Sequence, residues 1–212
     1  MSSSIAQDSR TSPVMRISYP QVFTPKAFQA GQTPRYGVVI LIDKKDKEQM
    51  AFMRLLHADA AAVLAVKWPN PETRPRIPLT GHDKSVFKDG DTALNNQGIP
   101  VKERNPEYTG HYFVRAGSTQ KPIVVDRNRN EIRDPNEIYG GCYCKVNVNA
   151  YTFDQALNKG VTLGLNGIQK IRDGEAFGGG KPPLDEMFEA EAGGAEDAAN
   201  YADPFAGDDT PF

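Results

Sequence analysis

One stretch of this chain alternates almost without error. From Gly141 to Phe153, Cys142, Cys144, Val146, Val148 and Ala150 fall on one face of an extended strand, and Tyr143, Lys145, Asn147, Asn149 and Tyr151 on the other. The first set reads as the inside of a β barrel. The second places two aromatic rings, one cation and two amides along a row roughly 27 Å long, at about 3.4 Å per residue over eight steps. Such a row suits a polymer with unpaired bases and anionic linkages, because bases stack on aromatic rings while Lys and Arg hold phosphates. The same row also has a purely structural reading, since tyrosines often pack a second face with their hydroxyls bonded at its edge.

Other residues could extend that chemistry. Along Tyr108–Arg115, His111, Phe113 and Arg115 alternate with Tyr112 and Val114, and the pattern leaves open whether Phe113 or Tyr112 faces out. Arg127, Arg129 and Arg133 cluster beyond the next strand, at phosphate-contacting or merely solvated turn positions. Residues 69–107 hold Arg74, Arg76, Lys84, Lys88, Lys102 and Arg104 without clear periodicity. A connection that long is uncommon in a compact domain, and it reads equally as a solvated loop or a basic flap. Trp68, just before Pro69, reads as packing rather than as a base platform.

The elements that must position these groups are mostly strands. A first strand is expected around Val14–Tyr19, ended by Pro20, after a Ser-rich start (residues 1–13) read as disordered. Tyr36–Ile42 is a dense β-branched run, read as a strand buried on both faces. One helix follows from about Asp46 to Val66, with Asp46 and Gln49 as a capping pair and Met50, Met53, Leu56, Ala60, Val63 and Leu64 near helical spacing. Strands at Tyr108–Arg115, Pro122–Asp126, Gly140–Phe153 and Val161–Ile171 are separated by turn signals. Five or six strands with a single helix suit a small closed or partly closed barrel, so the fold class is mainly β: an OB-fold-like Greek-key barrel with one main α-helix.

Charge is segregated along the chain. Asp185 to Phe212 carries nine acidic residues and no Lys or Arg, which leaves the preceding residues with 25 bases against 18 acids, about +7. That asymmetry points to a polyanion for the body and an interaction role for the tail. Residues 14–180 are therefore read as the binding domain and 181–212, rich in Ala, Gly, Glu and Asp, as a disordered acidic tail. Cys142 and Cys144 are too far apart on one strand for a comfortable disulfide, which fits a reducing compartment, and the cytoplasm is expected. The start of the chain is polar, unlike a secretory signal, and the apolar runs Val38–Ile42 and Ala60–Val66 are too short to span a bilayer.

The chain ends Gly207-Asp208-Asp209-Thr210-Pro211-Phe212, and Asp203-Pro204-Phe205 nearly repeats that pattern. A terminal Phe behind aspartates offers an apolar side chain and a carboxylate to a pocket with a basic rim. The ending Asp208, Asp209, Pro211 and Phe212 resembles the acidic Pro-Phe tip by which bacterial single-stranded-DNA-binding proteins recruit replication and repair proteins. The body is similar to a bacteriophage family of OB-fold single-stranded-DNA-binding proteins. The stretches that carry this similarity are Gly110–Ala116, Tyr139–Tyr143, Gly164–Gln169 and Arg172–Glu175, within a layout spanning roughly residues 14–180. The resemblance implies single-stranded DNA as partner, a role in phage DNA replication or recombination, and tail-borne recruitment of proteins of those processes.

Catalytic and metal motifs fail. Asp126, Asn128, Asn130, Asp134 and Glu137 fit positions of a calcium loop, but Glu131 stands where glycine is required. Gly178-Gly179-Gly180-Lys181 lacks phosphate-loop spacing and precedes Pro182-Pro183. His57, His82 and His111 share no zinc spacing with the cysteines. The expectation is a non-enzymatic protein with no cofactor, no metal and no membrane partner; self-association is left open. The acidic tail is expected to compete with DNA at low salt. An RNA-binding OB protein, a virion structural or assembly protein and a nuclease are the alternatives.

Overall fold

A computed structural model describes residues 6, 8–27, 33–76, 78, 80, 85–95, 97–155 and 158–178. The chain divides after Gly178, where the described residues end. Lys84 and the tail residues Asp208, Asp209, Pro211 and Phe212 lie outside them.

The described strands are β1 (Arg10–Thr11), β2 (Met15–Lys26), β3 (Arg35–Asp43), β4 (Lys88–Asp89), β5 (His111–Ser118), β6 (Ile123–Val125), β7 (Tyr143–Gln155) and β8 (Asn158–Arg172). Five of them close on one another in the order β2-β3-β5-β8-β7 and back to β2. Every neighbour in that ring is antiparallel except β5 and β8, which run parallel at Ala116↔Leu163 and Gly117↔Gly164. A closed five-stranded ring of this connectivity is the Greek-key OB barrel. Short β1 extends it beside β7, and β6 extends it beside β8.

Alternation fills the barrel. Cys142, Cys144, Val146, Val148 and Ala150 are all at 0% exposure, facing Met15, Ile17, Val38, Ile40, Ile42, Val114, Ala116, Leu163 and Ile168. Helix α1 (Lys47–Lys67) packs on this core with Phe52, Met53, Leu56, Ala60, Val63 and Leu64. Taken whole, α1 is long and apolar enough to cross a membrane, contrary to the reading of its shorter apolar runs, but this face is core packing. Asp46 caps the helix by accepting from the backbone N–H groups of Glu48 (2.9 Å) and Gln49 (3.1 Å). The Gln49 amide does not return the bond; it accepts from Asp43 N and donates to Val14 O.

Three expectations about the elements need correction. The sheet starts inside the Ser-rich segment, because Arg10 is anchored by a bidentate pair to buried Asp59 of α1, and Ser12 Oγ accepts from Val146 N (2.9 Å). Strand β2 runs on through Pro20, because a register shift between Ser18 and Gln21 makes the bulge in which a strand proline is tolerated. Strand β3 is buried on both faces only at its far end. There Leu41 pairs with Phe113, whose ring packs 4.9 Å from that of buried Tyr108, forming a small apolar layer outside the barrel.

The long connection between α1 and β5 delivers Tyr108 to that layer at its end. It buries Phe87, adds β4 against β5 and holds the four-residue helix α2 (Val101–Arg104). Its bases have separate jobs. Arg74 donates to the carbonyls of Trp68 (2.8 Å) and Pro69 (3.0 Å), closing the end of α1, while Arg76, Lys102 and Arg104 are exposed.

Candidate nucleic-acid interface

The outward row of β7 is partitioned by its neighbours. At one end, Tyr143 pairs with Arg172, whose guanidinium carbon lies 3.3 Å from the ring centroid; that of Arg16 stands 5.5 Å away. Arg16 also lies 4.2 Å from the Phe177 ring centroid and donates to the carbonyls of Glu175 (2.6 Å) and Gly141 (3.3 Å). Tyr143, read from the sequence either as a stacking ring or as packing of a second face, carries a cation on its face.

The middle of the row is an amide ladder. Asn147 donates to Thr11 Oγ1 (2.9 Å), and Asn166 donates to Asn147 (3.0 Å) and Asn149 (3.1 Å). Asn166 reaches both because a register shift between Asn147 and Val148 bulges β8 outward there. Asn147 is thus tied into the sheet. Beside it, Lys145, Ile123, Val125 and the turn residue Arg129 line a shallow cleft of about 300 Å³. Arg127 is exposed, and its carbonyl accepts from Gln169. Asp126, the head of the failed calcium pattern, accepts from Asn128 N (2.7 Å), Asn130 N (2.8 Å) and Asn130 Nδ2 (2.8 Å). These bonds close a hairpin turn and hold its carboxyl below the usual range.

The far end is different. Tyr151 meets Arg35, whose Nη2 donates to its hydroxyl (3.1 Å), and both line a hollow of about 290 Å³ with Tyr36, Arg115, Thr162 and Leu163. Arg115 is placed by register. It faces Val39 across β3 and β5, and its guanidinium lies across Gly37, 3.4 Å from where a Cβ would stand. Burial and the neighbouring charge of Arg35 pull the Arg115 pKa down. Two guanidinium groups that disfavour each other in one hollow are relieved by an anion placed with them.

The remaining expected residues fall elsewhere. Phe113 shares the outer face of β5 with Arg115, so it, not Tyr112, points away from the barrel; its ring is engaged by Tyr108. Tyr112 packs against the core at the barrel end under Lys44, whose Nζ lies 4.7 Å from its ring centroid and donates to Asp89 and Asp91 (both 2.6 Å). Lys88 is half-buried on β4, opposite Phe113. The structure therefore brings Arg115 and Tyr151 together and leaves Tyr143, Asn147 and Tyr112 in bonded or packed positions. Reading the sequence missed Arg35 and Tyr36 of this hollow, and Tyr19 of a smaller one beside it. The signal for Tyr19 was the proline after it, since Pro inside a strand marks a bulge.

The basic and aromatic hollow lies on the face of the second and third barrel strands, β3 and β5, which is where OB barrels bind oligonucleotides. These features define an OB-fold module with a cationic, ring-lined face. Residues 10–199 match the family described as Enterobacter phage Enc34, ssDNA-binding protein. The chain belongs to that family. It is 28% identical over 178 residues to putative protein p50 of Acyrthosiphon pisum secondary endosymbiont phage 1, covering 82% of this chain and 89% of that one. Its fold is similar to the single-stranded DNA-binding protein from bacteriophage Enc34 in complex with ssDNA, with a TM-score of 0.64 and 22% identity over 80% of this chain and 89% of that chain. Another structure of the Enc34 protein gives a TM-score of 0.60 at 21% identity, covering 85% and 90% of the two chains.

Proposed function

We propose that this protein binds single-stranded DNA without base-sequence selection as its main activity, non-catalytically, during phage DNA replication or recombination in the host cytoplasm. The observation that carries this reading is the convergence of Arg35, Arg115, Tyr36 and Tyr151 on one hollow of the β3–β5 face. The guanidinium groups neutralise phosphates and supply most of the affinity; the tyrosine rings stack on bases and select unpaired strands. Lys145 and Arg129 line the next cleft along β7, about 20 Å from Tyr151, and give the strand a second cationic station. Arg127, Lys84 and Lys88 are further phosphate contacts in this reading.

Family membership supports it, as do the opposite charges of the body and of residues 185–212. The acidic end recruits replication and recombination proteins through Asp208, Asp209, Pro211 and Phe212, and its tethered negative charge lowers DNA affinity when salt is low. The test is a titration of the full chain with oligo-dT, oligo-rU and duplex DNA across a salt series. Tightest binding to oligo-dT, weakening with salt, is expected. Equal binding to duplex, or tighter binding to oligo-rU, overturns the reading.

A further inference from the structure

Next to the Arg35–Tyr151 hollow lies a smaller one of about 130 Å³, lined by Tyr19, Gln21, Val38, Val39 and Arg115. The two share Arg115 as a wall. Three features mark the smaller hollow. Tyr19 sits in the left-handed region at φ 46°, a backbone position that residues with side chains rarely adopt, and yet its side chain is 58% exposed. The bulge between Ser18 and Gln21 aims it there, and a hydrogen bond from its hydroxyl to Asn105 Oδ1 holds the ring upright. Finally, Gln21 Oε1 is buried without a hydrogen-bond partner, the only side-chain N or O atom in that condition among the described residues. Native proteins rarely leave a buried acceptor unpaired.

We propose that this hollow takes one nucleobase of the bound strand and prefers a base bearing an exocyclic amino group, cytosine over thymine. The inference rests on the single-strand-binding reading above. The base stacks on Tyr19 against Val39, with its phosphate beside Arg115. The final torsion of a glutamine side chain is soft, and Oε1, the atom with a bond to gain, adjusts toward a donor that enters the hollow. Cytosine offers its N4 amino group as that donor; thymine offers an O4 acceptor at the same position. Arg115 lines the hollow too, and its charge holds the backbone whichever base is present. The body would then bind any single strand while ranking strands by one base per protein.

The experiment compares full-length protein binding to dC and dT homopolymers of equal length at slightly alkaline pH, where cytosine is neutral. A homopolymer presents the same base to the hollow in every register. Wild type is expected to bind dC about fivefold tighter than dT, the scale of one neutral hydrogen bond. Gln21→Leu is expected to abolish the difference between dC and dT, and removing a buried unpaired acceptor leaves its melting temperature no lower. Tyr19→Asn, which tolerates the left-handed backbone, is expected to weaken both by about tenfold, since stacking is indifferent to base edge. Equal affinities in wild type, or a dC preference that survives Gln21→Leu, overturns the proposal while leaving strand binding intact. Binding of neither homopolymer overturns both.

Discussion

The two ends of β7 carry the same chemical ingredients in opposite arrangements. At Tyr143, the arginines are spent on the protein's own rings: Arg172 lies 3.3 Å from the Tyr143 centroid and Arg16 lies 4.2 Å from that of Phe177. At Tyr151, Arg35 and Arg115 share a hollow with the rings of Tyr36 and Tyr151, and burial together with the charge of Arg35 lowers the Arg115 pKa. A stacked cation–π pair is a finished interaction worth about 0.5–2 kcal/mol. Two like charges gathered in one hollow repel, and an anionic, base-bearing polymer relieves that repulsion. Composition alone does not separate a structural clasp from a binding site. What separates them is whether the cations are spread over separate rings or gathered into one hollow.

The largest effect expected from this contrast is on affinity. Arg35→Ala with Arg115→Ala should weaken oligo-dT binding by about 100-fold at modest salt. Arg16→Ala with Arg172→Ala should leave binding within about threefold and instead cost about 1–2 kcal/mol of stability, read by urea denaturation. A smaller effect separates the tyrosines. Tyr151→Leu should lower oligo-dT affinity about tenfold in a fluorescence titration, the scale of one lost base stack, whereas Tyr143→Leu should lower the unfolding midpoint and spare binding.

How far this contrast was legible in the sequence follows from the kind of information each part needs. The period-2 alternation of 142–151 is a property of a single strand, so the barrel-facing set was readable and is buried throughout. Which outward residues are already engaged depends on register between strands. Tyr143 is capped because β8 delivers Arg172 opposite it, and Asn147 is bonded because a bulge pushes Asn166 outward. No local pattern encodes either event. Arg35 and Tyr36 were hidden for a related reason: the apolar run after them reads as uniformly buried, while burial of the outer face at Leu41 comes from a segment some 70 residues downstream. The long connection resisted reading because its order comes from docking Phe87 and Tyr108, not from a period of its own.

Two smaller effects sharpen the comparison. Deleting residues 185–212 should tighten oligo-dT binding severalfold at low salt, with the gain fading as salt rises; unchanged affinity in low salt would remove the tail's electrostatic role. Between the two ends, the Tyr108 layer carries neither site and should register only in stability. Burial pushes the Tyr108 phenol up to about 12 from 10.0, against a hydrogen bond with Ser18 that lowers it. The folded chain therefore keeps a proton that the unfolded chain releases, so stability should fall as pH climbs from 10 to about 12. Cys144, raised by burial from 9.0 to about 12, adds a loss of the same sign that begins lower. Tyr108→Phe should make the urea-midpoint profile shallower above pH 10, leaving the slope that Cys144 contributes.

The most direct test is the salt slope of oligo-dT binding, measured as log K against log salt for wild type and the two double-arginine variants. Loss of Arg35 and Arg115 should make the slope shallower by about 1.4, from two phosphate contacts at about 0.7 each, while loss of Arg16 and Arg172 leaves it unchanged. An unchanged slope in the first variant, or an equal change in both, would contradict the assignment of the binding face.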